Sequence, residues 1–124
     1  MRIVLTGREA DLMDVLWDSG PSTVAEVRER LTDDLAYTTV LTILRTLESK
    51  GYVAHEEEGR AHRYVPRIAR DDARRSALRD LSTKLFKGSA SLLLTHLVAD
   101  KKLSAAELRR IRALLDQHSD KEES

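Results

Sequence analysis

The feature that most constrains this chain is the stretch Tyr37–Lys50, which ends at Gly51. At about 100° per residue, Val40, Ile43, Leu44 and Leu47 fall in one arc. Thr38, Thr42, Arg45 and Ser49 fall nearly opposite, with Leu41 and Thr46 on the flanks. That period is helical, and Gly51 is a natural stop. One face is apolar and must be covered. The other holds short hydroxyls and one guanidinium, and Glu48 is the single acid. A solvated helix face usually mixes Glu and Lys. Thr and Ser reach phosphates or base edges, and Arg bonds a guanine edge bidentately, so this face fits a DNA groove. From these residues alone a Thr-rich surface helix is an equal reading.

What precedes this stretch supplies a context. Thr6-Gly-Arg-Glu9 has the capping-box pattern, and Leu12, Met13, Val15, Leu16 and Trp17 continue as a helical stripe up to Ser19-Gly20-Pro21. Asp11, Asp14 and Asp18 are expected on its solvated side. Thr23-x-x-Glu26 is a second capping box. It opens a short helix with Val24, Ala25, Val27 and Leu31, ending near Thr32-Asp33-Asp34. Two helices joined tightly, the second with a polar exposed face, form a helix-turn-helix.

Beyond Gly51, Tyr52–Glu56 has strand character, and Glu57-Glu58-Gly59-Arg60 predicts a hairpin turn. Ala61–Val65 returns as the partner strand and Pro66 ends it. The hairpin is a wing, with Arg60, His62 and Arg63 as candidate backbone contacts. His55, Glu56, Glu57, Glu58 and His62 also invite a metal reading, though an acidic run at a turn is usually just solvated. Strand alternation places His55 and Glu56 on opposite faces, so no metal site is expected. Phosphate-loop, nucleophile-elbow and His-Glu-x-x-His motifs are absent, and no catalytic residue or cofactor is expected.

The composition shifts after residue 66. Residues 1–66 hold 8 basic and 12 acidic side chains, and residues 67–124 hold 13 and 9. The half with the suspect helix is therefore the acidic one, and any DNA contact must be a local patch. Asp71-Asp72 suits a helix start. Ala73, Ala77, Leu78, Leu81, Leu85 and Phe86 recur at helical spacing, and Ser89–Ala99 is apolar almost all round. Ser104-x-x-Glu107 is a third capping box, before Leu108, Ile111, Leu114 and Leu115. The tail from Ser119 is expected to fray. Three short Leu-rich helices cannot bury that surface alone. A homodimer through Leu78, Leu81, Leu85, Leu93, Leu97, Leu108, Ile111 and Leu115 is expected, and it would place two reading heads on two half-sites. The expected fold is mainly α: a winged helix-turn-helix over residues 1–68 and a three-helix dimerisation region over 69–124. The chain has no cysteine, and no apolar run approaches the roughly 18–20 residues of a membrane span. With an N-terminus too soon polar for a secretion signal, a cytoplasmic protein without membrane insertion is expected.

Ala36–Gly51, Arg60-Ala-His-Arg-Tyr64 and Glu9–Trp17 together resemble the penicillinase-repressor family of winged-helix regulators, the BlaI/MecI/CopY type. The resemblance covers essentially the whole chain. It implies a dimeric repressor of resistance or homeostasis genes, often including its own, acting on double-stranded operator DNA. The recognition helix would contribute Thr38, Thr42 and Arg45 to the groove, with Thr39, Thr46 and Lys50 nearer the phosphates. A sensor-protease or another inducing system would release the DNA. Some members are cut at an Asn-Phe bond in the second C-terminal helix, where this chain has Leu94-Thr95-His96-Leu97. Copper-responsive members use a Cys-x-Cys pair that this chain lacks. The alternative from another class is a winged-helix module that binds protein rather than specific DNA. A small metal-dependent enzyme built on His55, Glu56 or His62 ranks last.

Overall fold

The computed structural model describes residues 1–100 and 103–123. In chain order the elements are α1 (Gly7–Ser19), β1 (Ser22–Thr23), α2 (Val24–Arg30), α3 (Tyr37–Ser49), β2 (Val53–Glu58), β3 (Ala61–Pro66), α4 (Arg70–Leu85), α5 (Ala90–Asp100) and α6 (Ala105–Glu123). The chain divides into two compact units, Met1–Asp80 and the residues from Leu81 onward.

In the first unit both capping boxes close. The Thr6 hydroxyl accepts from the Glu9 N–H and the Glu9 carboxylate accepts from the Thr6 N–H, and Thr23 and Glu26 repeat the exchange at α2. Each pair satisfies N–H groups that a helix start leaves without partners. Helix α3 ends in a Schellman arrangement. Tyr52 N–H donates to Leu47 O and Gly51 N–H to Glu48 O, each at 3.0 Å, with Gly51 at φ 83°. That turn sends the chain straight into β2.

The apolar arc of α3 is buried: Val40, Leu44 and Leu47 are fully covered, with Ile43 and Leu41 packed at the edge. They meet Leu12, Met13 and Leu16 of α1, Val24 and Val27 of α2, and Val53 and Tyr64 of the hairpin. Ile3 and Ile68 close the same core. Trp17 packs at its edge, and its indole N–H donates to Ile68 O at 2.9 Å.

The sheet has three strands, not two. The order is β1-β3-β2, all antiparallel, with Ser22 opposite Tyr64 and Thr23 opposite Arg63. Sequence reasoning took Ser22 and Thr23 only as helix caps. Two residues carry no periodicity, and their partners lie some forty positions away. Within the hairpin, Glu58 pairs with Ala61 across a two-residue turn, and Gly59 takes φ 62° at its first position. Asp14 and Asp18 are not merely solvated: Arg70 bridges to both and lies over the Trp17 ring at 5.3 Å.

The start of α4 also belongs to this unit. Ala73 is buried, and the buried Ser76 hydroxyl accepts from Ile3 N–H at 2.7 Å and donates to Ile3 O at 3.1 Å. Ser76 thus stands in for a strand partner and ties down the N-terminal segment.

In the second unit, Ser89 accepts from Leu92 N–H at the start of α5 and Ser104 from Glu107 N–H at the start of α6. At Ser104 the Glu107 carboxylate meets the serine hydroxyl, so the third capping pattern closes only in part. Helix α6 runs to Glu123, past the Ser119 where fraying was expected; no Gly or Pro interrupts it. Ser124, the last residue of that expected tail, lies outside the described residues. No described residue after Ser76 is fully buried. Among the described residues, no helix is long and apolar enough to cross a membrane.

Candidate nucleic-acid interface

Burying Val40, Leu44 and Leu47 fixes the rotation of α3. It turns Thr38, Thr39, Thr42, Arg45, Thr46 and Ser49 outward, and all six are exposed. The Arg45 guanidinium makes no hydrogen bond or ion pair among the described residues, so it is available to a ligand. Thr42 and Thr46 are less free than the sequence suggests. Their hydroxyls donate to the carbonyls four residues back, Thr38 O at 2.9 Å and Thr42 O at 3.0 Å. Each keeps its oxygen lone pairs and its methyl for a partner. The N-cap position of α3 is Ala36, which makes no side-chain cap, so no capping side chain satisfies the first-turn N–H groups.

The wing stands beside this face. A cleft of about 290 Å³ is lined by Tyr37, Leu41 and Arg45 of α3, Thr23, Val24 and Ala25 at the start of α2, and Arg60, Ala61 and His62 of the wing. The structure therefore brings together Arg45, Arg60 and His62, which sequence reasoning placed in two separate motifs. Arg60 sits at the hairpin turn, exposed and without an ion pair among the described residues.

Two expected contacts are engaged within the chain. Arg63 is half-buried. Its Nε bonds Glu58 at 2.5 Å, and its Nη1 bonds Glu26 at 3.0 Å and Pro21 O at 3.1 Å. It ties β3 to the start of α2 and so sets the angle of the wing. Lys50 bonds the buried Glu9 carboxylate at 2.8 Å, forty-one positions away. Burial alone would raise the Glu9 carboxyl, but the Lys50 ammonium and the Thr6 N–H outweigh it and hold the group below the usual carboxylate range. For Glu26 the Thr23 N–H is the largest influence; with Arg63 and Arg30 nearby, that carboxyl too is lowered. Sequence reasoning missed both ties because local pattern does not reveal partners so distant in the chain. Glu9 at a capping position was the one visible signal.

The wing also brings together three of the residues whose metal reading the sequence set aside. His55 and Glu57 share a strand face, and Glu57 lies opposite His62. The His55 and His62 rings stack at 4.4 Å. His55 Nδ1 lies 2.6 Å from Glu48 Oε2 at the end of α3, and its backbone N–H donates to the same oxygen.

The eight residues expected to dimerise lie on α4, α5 and α6. Leu78, Leu81, Leu85, Leu97, Leu108 and Leu115 are exposed in the single chain, Leu85 by 71%, while Leu93 and Ile111 are half-buried. Leu92, Leu94, Val98 and Leu114 add to the exposed apolar area.

Comparison with known proteins agrees with this geometry. The penicillinase repressor family model matches residues 5–117. The transcriptional regulator BlaI of Mycobacterium tuberculosis is 38% identical over 111 residues, covering 86% of this chain and 79% of that protein. The penicillinase repressor of Bacillus licheniformis is 23% identical, covering 94% and 93%. The methicillin resistance regulatory protein MecI of Staphylococcus aureus is 19% identical, covering 91% and 94%. Among solved structures, the transcriptional regulator Tm0710 from Thermotoga maritima superposes with a TM-score of 0.55 at 17% identity, covering 96% of this chain and 77% of that one. A MarR family protein from Bacillus stearothermophilus gives 0.50 at 18%, covering 94% and 77%. These two likenesses concern the winged-helix fold. With its family model matched from Leu5 to Gln117 and its reading head folded as that match requires, the chain belongs to the penicillinase repressor family of DNA-binding transcriptional regulators.

Proposed function

We propose that the protein is a homodimeric repressor that binds a palindromic operator and occludes the promoter, its own among them. The observation that carries this reading is the outward face of α3. Five exposed side chains surround Arg45, which has no ion pair among the described residues, with Arg60 and His62 across one cleft. In this reading Thr38, Thr42 and Arg45 enter the major groove. Thr42 and Thr46 present methyl groups, the apolar match for a thymine methyl, unless their hydroxyls turn to a phosphate. Thr39, Thr46 and Lys50 lie toward the phosphates, and the uncapped N–H groups at the start of α3 suit a phosphate oxygen. Arg60 and His62 follow the backbone along the wing. Arg63 holds the wing in place and contacts phosphate only by exchanging a carboxylate for it.

Residues 1–68 serve as the reading head and 69–124 as the dimerisation region, with the first turns of α4 anchored in the head through Ala73 and Ser76. The dimer reading is supported by the exposed leucines of α4–α6, which in water would each expose apolar area that a second copy covers. The names of the relatives suggest resistance genes as targets, and this reading adds a sensor-protease or another inducing system upstream. We place the protein in the cytoplasm with its DNA.

Selection of bound duplexes from a random-sequence pool tests the reading. The expected product is an inverted repeat whose half-site centres are about one helical turn apart or a multiple of it. Recovery of no consensus, with binding to duplex DNA no stronger than to the starting pool, would favour the protein-binding module instead.

A further inference from the structure

We propose that the wing carries a binding site for a divalent transition-metal ion of the zinc–nickel–copper class, formed by His55, Glu57 and His62, and that loading it strengthens DNA binding.

The site is built by strand register. His55 and Glu57 are two apart on β2 and project from one face. Glu57 is directly opposite His62 on β3, so all three side chains converge. A ligand atom from each lies within 4.8 Å of the others. Ligand atoms around a tetrahedral ion lie somewhat over 3 Å apart, given bond lengths of roughly 2.0–2.2 Å. These three side chains are exposed, so rotamer adjustment closes that gap without moving the backbone. Two imidazoles and one carboxylate are a donor set that suits this class of ion.

Three further observations bear on the site. First, the imidazoles lie side by side, 4.4 Å between centroids and 12° from parallel, so a turn of one exposed ring makes their in-plane lone pairs converge on one ion. Second, Glu48 Oε2 sits 2.6 Å from His55 Nδ1. With the proton on Nδ1, the imidazole is held with Nε2 free as a ligand, the carboxylate–histidine–metal relay found behind many metal-binding imidazoles. Third, Glu57 forms no ion pair among the described residues, while Glu58 is bonded to Arg63. An uncompensated carboxylate beside the DNA-facing cleft opposes phosphate binding.

A bound ion reverses that opposition. Neutral imidazoles, one carboxylate and a divalent ion make a local charge of about +1 where Glu57 alone gives −1. The ion also bridges the two strands of the wing next to His62, and through His55 it is linked to Glu48, one turn after Arg45. The effect on DNA rests on the proposed operator reading; binding of the ion itself does not.

The test therefore has two arms. In the first, the chelator-treated full chain is titrated with Zn²⁺ by calorimetry in the absence of DNA. One ion per chain is expected, with affinity lowered at least about tenfold in His55→Ala and in Glu57→Gln. Both positions are exposed, and circular dichroism checks that each variant is folded. No binding, or binding unchanged in both variants, overturns the site; His96 and His118 remain in the variants and would account for the latter. In the second arm, Zn²⁺ is added to the chain bound to selected duplex. Higher affinity and a salt dependence steeper by about one unit are expected in the wild type and not in His55→Ala. Zn²⁺ binding without a change in DNA affinity overturns the coupling. Failure to bind duplex at all, with Zn²⁺ still bound, overturns the operator reading and leaves the metal site standing.

Discussion

Arg60 and Arg63 are three positions apart and have different tasks. Arg60 lies at the tip of the wing without an ion pair among the described residues. Arg63 is bonded to Glu26, Glu58 and a backbone carbonyl. Arg60→Ala is expected to flatten the dependence of log K on log salt by about 0.9 unit, while the unfolding midpoint barely moves. Arg63→Ala is expected to lower the unfolding midpoint as well, because it releases β3 from α2. Binding isotherms over a salt series, with urea unfolding alongside, separate the two; an unchanged slope in Arg60→Ala would remove it from the interface. Glu9 is a second residue whose role comes from a distant partner. Its folded pKa is depressed, so its contribution to stability is present above the unfolded carboxylate range, near 4.3, and is lost as pH falls through the folded value. Glu26 has the same sign. Glu9→Gln should therefore lower stability at neutral pH and lose less on acidification than the wild type. Urea midpoints at pH 7 and in the acid range read this, and an equal acid loss in both proteins would contradict it. Arg45, Arg60 and the threonines were legible as candidate contacts from residue type and spacing. The ties Lys50–Glu9, Arg63–Glu26 and Ser76–Ile3 were not, because each joins positions 37 to 73 apart.

At the scale of elements, the pattern of α3 decides most of the reading head. Val40, Leu44 and Leu47 face the core, and the hydroxyls and Arg45 face out. Leu44→Ala leaves a cavity at the meeting of α1, α3 and the hairpin and is expected to cost about 2–5 kcal/mol. The check is a denaturant midpoint; a loss below about 1 kcal/mol would mean that the site collapses freely or that Leu44 is less central than its burial implies. The helices were legible because each has a period, a cap or a stop. The capping boxes of α1 and α2 close as their residues predict. Strand β1 was not legible, since a two-residue strand has no period and its residues also cap α2. Nor was the shared face of His55, Glu57 and His62. The sequence showed that His55 and Glu56 diverge, but only the register of β2 against β3 reveals which residues converge. Helix α6 ran on past Ser119 because a charged run without Gly or Pro can continue a helix as readily as fray from it.

For the whole molecule, the first unit has one buried core, and no described residue of the second is fully buried. The exposed leucines at the end of α4 and on α5 and α6 are the surface that the proposed second copy covers. Thermal unfolding should accordingly shift upward with protein concentration, as for any oligomer whose folding is linked to association. Leu97→Asp should remove that dependence and yield monomer by sedimentation; a midpoint independent of concentration in the wild type would contradict the dimer. The acidic balance of residues 1–66 has a further consequence. Attraction to arbitrary DNA is expected to be weak, with discrimination resting on few side chains. The most direct test of that claim is the ratio of affinities for selected operator and random duplex at one salt concentration, measured for the wild type and for Arg45→Ala. The expected result is a loss of about 1–3 kcal/mol on the operator and little on random duplex. An equal loss on both, or none on either, would contradict a reading head centred on Arg45.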